Sequence, residues 1–129
     1  MKTRDQEYAI SAFERVSIVS KNEKETYGAM AHRLPILIRK AGLAQALSFV
    51  EAKAADKPAY RSLLADLKAT VRRNENLATL ARSAELEDYM LLTKQIMDAL
   101  LWYKRFAQSI LGIDTATAAT IDTEEGKES

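Results

Sequence analysis

Residues that make tight turns are scarce in this chain. Its 129 residues include only four glycines and two prolines, and the hairpins of a many-stranded β protein depend on such residues. Alanine, leucine, glutamate, lysine and arginine are abundant instead, and all of them favour helices. The sequence therefore predicts an all-α fold, with enough residues for one compact domain and its core.

Apolar residues recur at helical spacing along most of the chain. This periodicity predicts a compact bundle of about five to seven helices with a long C-terminal helix. The long helix is expected from about Leu86 to Leu111, and its apolar residues surround so much of its circumference that it should be central to the bundle.

The segment from Leu34 to Lys53 is interrupted by a proline and a glycine. Pro35 lacks a backbone N–H and crowds the carbonyl of the preceding turn, and it disfavours helical backbone at Leu34. We therefore predict that one helix ends near Leu34 and that a new short helix begins at Pro35. Gly42 should end this short helix in a left-handed conformation.

Charge is unevenly distributed along the chain. The net charge is +1, but residues 113–129 contain five acids and one lysine and carry −4, so the remainder carries +5. We predict a helical bundle domain at residues 1–112 and an acidic, disordered tail at 113–129, because such a tail buries too little apolar surface to offset its ordering entropy. A basic body is compatible with an anionic partner.

The sequence contains no recognisable catalytic constellation. It has no cysteine, which excludes thiolate metal sites and cysteine nucleophiles, and His32, its only histidine, lacks the spacing of a metal site. Glu85, Glu87 and Asp88 could form a metal-binding cluster, but a helix start explains them more simply. We expect no enzymatic activity, no cofactor, no bound metal and no small-molecule substrate.

The chain also lacks the features of a membrane or secreted protein. No apolar run reaches the roughly 18 residues of a transmembrane helix, and the first residues lack the apolar core of a signal peptide. A cytoplasmic protein without a membrane partner is therefore expected.

Basic residues recur at intervals along the predicted helices, an arrangement that suits a phosphate backbone. Arg61, Lys68 and Arg72 are spaced to share one helix face, although an ordinary solvated surface is the better explanation of any single stripe. Trp102 and Tyr103 offer a stacking platform for bases, but their place in an apolar seam favours the core or a subunit interface.

Three segments together resemble one protein family. They are KTRDQEYAISAFERV near the start, LPILIRKAGLAQALSFV in the middle and YMLLTKQIMDALLWYKRFAQSIL near the end. The middle segment is the most specific, with its L-P-x-L-I and G-L-x-x-A-L-x-F pattern. The chain thereby resembles the small-subunit family of the type III-B CRISPR effector, the Cmr complex. It departs from the pattern at Ala41, where the family often has asparagine.

The resemblance implies an all-α, non-catalytic subunit of an RNA-guided antiviral ribonucleoprotein. Its copies would stack on one another as a minor filament beside the other subunits and help to hold the guide RNA–target RNA duplex through basic surfaces. The implied partners are those subunits, further copies of the chain, the guide RNA and the target RNA. The candidate RNA-binding residues are Arg4, Arg15, Arg33, Arg39, Lys40, Lys104 and Arg105. The Arg61–Lys68–Arg72 stripe is a second candidate surface.

Two other functions remain open at this point. One is a helical adaptor or regulatory protein that binds only protein partners, which should show an apolar groove with scattered charges rather than a continuous basic strip. The other, more distant, is a metal-dependent nuclease, which requires two or three acids converging in a cleft.

Overall fold

The computed structural model describes residues 1–128, with side chains as far as Ile121. Over this range the chain is an all-α bundle without strands, which confirms the predicted fold class. None of the described helices has both the length and the apolar character that a membrane crossing needs. The helices are α1 (Arg4–Ser17), α2 (Lys24–Ala41), α3 (Leu43–Lys53), α4 (Pro58–Thr70), α5 (Leu77–Ser83), α6 (Leu86–Ser109) and α7 (Thr115–Glu128).

The long helix α6 forms the centre of the bundle. It packs against α1, α2 and α4, and Ile96, Leu100 and Tyr103 on its inner face are completely buried. Burying each such side chain contributes about 1.5–3 kcal/mol. The position and length of α6 agree with the sequence prediction, although the chain continues into a further helix.

Helix α2 corrects the prediction made at Pro35. No short helix begins there, because α2 runs without interruption from Lys24 to Ala41 and contains Pro35 inside it. An internal proline costs about 3 kcal/mol or more. The helix tolerates this cost because it buries nine residues, Tyr27, Met30, Leu34 and Ile38 among them, and their packing stabilises it by more than the lost hydrogen bond.

Gly42 separates α2 from α3, but not in the predicted left-handed helical conformation. Its φ of 86° and ψ of 162° lie in a region that is essentially restricted to glycine. Its N–H still donates to the carbonyl of Ile38 at 2.9 Å. The extended ψ turns the chain sharply, so that α3 packs back against α2.

The segment after Gly112 differs from the expected tail over its first half. Ile113, Ala118 and Ile121 are buried, and α7 packs against α2. The sequence prediction gave no weight to the two isoleucines, which supply the apolar contacts that the threonines and alanines lack. Helix packing therefore continues past Gly112 as far as Ile121, and the side chains of residues 122–129 lie outside the described part.

Gly28 of α2 provides the surface on which α7 begins. A Cβ atom at position 28 would lie 2.9 Å from both Cβ and Cγ1 of Ile113, closer than side chains normally pack. Beside it, the Nε2 atom of His32 lies 2.6 Å from the carbonyl oxygen of Ile113. Position 28 therefore has to remain glycine for the segment at Ile113 to pack as it does.

We predict that Gly28→Ala destabilises the protein by about 1–3 kcal/mol because it overpacks the contact with Ile113. In an Ile113→Gly background, which removes the opposing side chain, the same substitution should stabilise by up to about 1 kcal/mol, since alanine is the better helix former. Urea denaturation of the four proteins measures this double-mutant cycle. Stabilisation by Gly28→Ala in both backgrounds would instead support the disordered tail that the sequence predicted.

Candidate nucleic-acid interface

The two arginines of α1 are paired with acids of the same chain. The guanidinium of Arg4 lies 2.5 Å from the carboxylate of Asp98 on α6, and Lys94 shares that carboxylate at 3.2 Å. Arg15 lies 3.6 Å from the carboxylate of Asp66 on α4. These contacts hold α1 on the bundle and neutralise much of the charge that the sequence assigned to RNA binding.

Arg15 also begins a directed chain of hydrogen bonds. Its Nε–H donates to the hydroxyl of Ser11 at 3.2 Å, and the hydroxyls of Ser11, Thr70 and Tyr103 follow at 2.7 Å each. The Tyr103 hydroxyl donates to the backbone carbonyl of Asp66 at 3.2 Å. Because each hydroxyl has a single proton, Thr70 must donate to Tyr103 and Ser11 must donate to Thr70.

Asp66 connects this chain of hydrogen bonds to α2. The hydroxyl of Tyr27 donates to its carboxylate at 2.6 Å. Burial raises the pKa of Asp66, and the contacts with Tyr27 and Arg15 lower it without cancelling that effect. Burial also raises the pKa of both the Tyr27 and Tyr103 phenols above 10. The cluster is a structural junction between helices, and Arg15, Tyr27 and Asp66 also line a surface cavity of about 190 Å³.

The remaining candidates fall on different faces. Arg33 is half-buried, and its guanidinium lies 5.1 Å from the centre of the Phe49 ring on α3. Lys104 and Arg105 are consecutive and therefore project about 100° apart around α6. The guanidinium of Arg105 lies 5.5 Å from the centre of the Trp102 ring, so it belongs to the surface near α1.

Arg39 and Lys104 are brought together by the packing of α2 on α6. Both line one small surface depression, with Pro35, Met97, Leu100 and Leu101, and Lys40 is exposed next to Arg39. Within the described part of the chain, none of these three cations forms an ion pair. Leu101, 57% exposed, adds an apolar contact surface that the sequence prediction missed. In the sequence, only the apolar breadth of α6 around its circumference indicated such a surface.

The second candidate stripe is broken. Arg61 and Lys68 lie on α4, but α4 ends at Thr70, and Arg72 follows with a left-handed φ of 59°. Arg72 then reaches Glu7 at 3.6 Å. The spacing that placed the three residues on one helix face therefore does not apply to Arg72.

The aromatic and titratable candidates have structural partners. Tyr103 is fully buried, and Trp102 stacks on Phe106 while its indole N–H donates to Asp5 at 3.0 Å. His32 is buried, and its Nδ1 atom has no hydrogen-bond partner among the described residues. Among the described residues, no group of three histidine, cysteine or acidic side chains could hold a metal ion. The chain is thus a small all-α protein. Its cations without an ion pair among the described residues, such as Arg39 and Lys40, lie on its surface.

Comparisons with known proteins identify the family. Residues 4–110 match the family model described as CRISPR-associated protein (Cas_Cmr5). The chain is 42% identical over 114 residues to the CRISPR system Cmr subunit Cmr5 of Thermus thermophilus, a match that covers 86% of this chain and 98% of that protein. The crystal structure of a CRISPR-associated Cmr5 family protein from the same organism matches with a TM-score of 0.78 and 40% identity, over 84% of this chain and 98% of that one. The chain belongs to the Cmr5 family of CRISPR-associated proteins and is a subunit of a Cmr complex.

We predict that the difference in stability between the wild type and Asp66→Asn depends on pH. Because the pKa of Asp66 is raised in the folded protein above its ordinary value of 3.8, the folded state holds the proton more tightly, and the free energy of unfolding falls as pH rises from 3.8 through the folded pKa. The asparagine of the variant does not titrate and still accepts from Tyr27. The stability of the wild type relative to Asp66→Asn should therefore decline with rising pH across that window, as urea denaturation at a series of pH values can measure. A difference that grows with pH would contradict this.

Proposed function

We propose that the chain is a non-catalytic subunit that helps to hold the guide RNA–target RNA duplex through the surface formed by Arg39, Lys40 and Lys104. The observation that carries the proposal is the approach of α2 to α6, which places Arg39 and Lys104 at one depression with no acid paired to either among the described residues. Arg39 and Lys40 are exposed and Lys104 is half-buried, and spaced cations at a surface bind a phosphate backbone by releasing its counterions.

Such a surface suits recognition by shape rather than by sequence. An RNA duplex presents its phosphates and 2′-hydroxyls to a protein, while its deep major groove hides most base edges. Lysine and arginine side chains that contact phosphates carry no sequence information. In a guided complex, base pairing with the guide reads the sequence, so a subunit with such cations needs no base-specific pocket.

The other candidates take a smaller part in this proposal. Arg105 and Arg33 already interact with aromatic rings. Arg4 and Arg15 would first have to leave Asp98 and Asp66. We therefore rank Arg39, Lys40 and Lys104 above the four remaining arginines as RNA contacts.

The proposal also includes the stacking of copies of this chain on one another. The first turns of α6 expose two large apolar side chains, Leu86 at 72% and Met90 at 62%, one helical turn apart on the same face. Exposed apolar residues of this size favour a protein contact. A head-to-tail contact that does not close on itself produces a filament, which fits a subunit present in repeated copies.

The protein-only adaptor remains the alternative, since an apolar groove lies between α3, α4 and α5. The adaptor differs from an RNA-holding subunit in one measurable property. Its affinity for the complex should not change when the cations at Arg39 and Lys40 are reversed, and RNA should not be lost.

We predict that Arg39→Glu with Lys40→Glu weakens retention of RNA by the assembled complex and leaves helicity intact, because both side chains are exposed. If two phosphate contacts are lost, the slope of log affinity against log salt should fall by about two. Filter binding at a series of salt concentrations measures both quantities.

The matched control is Lys21→Glu with Lys24→Glu, which changes the net charge equally in the turn before α2 and at its first residue. It should lower RNA affinity much less than the Arg39/Lys40 variant. Equal affinities and slopes for the wild type and the Arg39/Lys40 variant would rule out this surface.

We further predict that Leu86→Glu with Met90→Glu reduces self-association without lowering the stability of the isolated chain, because both side chains are exposed. Sedimentation velocity over a concentration series measures association, and thermal denaturation measures stability. An unchanged association constant would exclude the start of α6 as a stacking contact.

A further inference from the structure

A groove of about 250 Å³ lies between α3, α4 and α5, on a surface that the proposed RNA contacts do not use. It is concave because three of its lining residues, Ala54, Ala65 and Ala78, have short side chains. Leu64 and Leu77 complete an apolar floor. A concave, mostly apolar groove of this size suits apolar side chains of a partner.

The rim of the groove is positively charged. Arg61 and Lys68 lie two helical turns apart on α4, a separation of about 10 Å along the helix axis. The guanidinium of Arg61 donates to the backbone carbonyl of Ala54 at 3.2 Å, which orients the side chain, and no carboxylate of the described residues pairs with its charge. Lys68 has no ion pair within the described residues. Glu51, the one acid in the lining, lies 3.9 Å from Arg82 outside the groove.

We propose that this groove docks an acidic amphipathic helix of a different protein subunit of the Cmr complex. The partner helix would carry two acidic residues about seven positions apart, facing Arg61 and Lys68, with leucine-sized residues between them in the groove. The proposal rests on the chain's membership of a multisubunit complex and does not depend on the proposed RNA surface.

The shape and charge of the groove favour a protein over RNA. A phosphate backbone would leave the apolar floor unfilled, whereas an amphipathic helix covers it and places charges at both ends. The stripe also lacks a third cation, because Arg72 is turned toward Glu7. Two cations spaced along α4 beside an apolar groove match the charge pattern of one helix face better than that of a nucleic-acid strand.

Carbodiimide cross-linking of the assembled complex tests the occupant directly, because it joins a lysine amine to a carboxylate in contact with it. We expect mass spectrometry to find Lys68 joined to an acidic residue of another subunit. Lys68→Arg keeps the charge and should lose only this cross-link. A cross-link solely to a second copy of this chain, a photo-cross-link from Lys68 to RNA, or no carboxylate cross-link at all would overturn the proposal.

Charge reversal tests the contribution of the rim. Arg61→Glu with Lys68→Glu should weaken incorporation of the chain into the complex by about tenfold or more, while RNA affinity stays at the level of the Lys21/Lys24 control. If RNA affinity falls and incorporation is unchanged, this proposal is overturned and the RNA surface is not. Unchanged RNA affinity in the Arg39/Lys40 variant would instead overturn the RNA surface and leave this proposal intact.

Filling the groove with a large side chain tests the contribution of its apolar floor to docking without changing any charge. Ala65 is exposed, so Ala65→Trp can occupy the groove without disturbing the core, and it should weaken incorporation by a similar factor. Ala52→Trp, at an exposed position of α3 outside the groove lining, is the matched control and should incorporate normally. Normal incorporation of Ala65→Trp would overturn the proposal even if charge reversal had an effect.

Discussion

A short chain of hydroxyl groups sets the positions of four helices relative to one another. Ser11 on α1, Thr70 on α4 and Tyr103 on α6 are linked by successive hydrogen bonds, and the Asp66 carboxylate accepts from Tyr27 on α2. A buried polar group that loses its partner costs about 1–3 kcal/mol. Sliding one helix along another would break several of these bonds at once, so the network fixes a register that apolar packing alone would leave less defined.

The same register determines which cations remain available at the surface. Where α1 meets α4 and α6, Arg4 and Arg15 lie beside carboxylates and become part of the bundle. Where α2 meets α6, no carboxylate lies beside Arg39 or Lys104, and both stay unneutralised within the described residues. Because α2 continues through Pro35 as a single helix, its last turn reaches α6, which a break at the proline would not have ensured. The proposed RNA surface thus depends on helix packing as much as on basic composition.

The outer helices add packing contacts and a surface groove to this central arrangement. The family match ends at residue 110, before α7, yet Ile113 and Ile121 of this chain are buried. The close contact of Ile113 with Gly28 shows that α2 is shaped to receive that segment. Short side chains between α3, α4 and α5 leave a groove whose lining shares no residue with the proposed RNA contacts. A small subunit can therefore present separate surfaces to different partners.

The sequence by itself determined the fold class, the central long helix and the family, because periodicity and motif order are local properties of the chain. It did not determine that α2 would continue through Pro35, since the outcome depended on the burial of residues that pack against other helices. Nor did it separate Arg39 from Arg4, although both are exposed arginines. Only the tertiary structure placed Asp98 beside one of them and Lys104 beside the other, because neutralisation depends on distance in space and not on spacing along the chain.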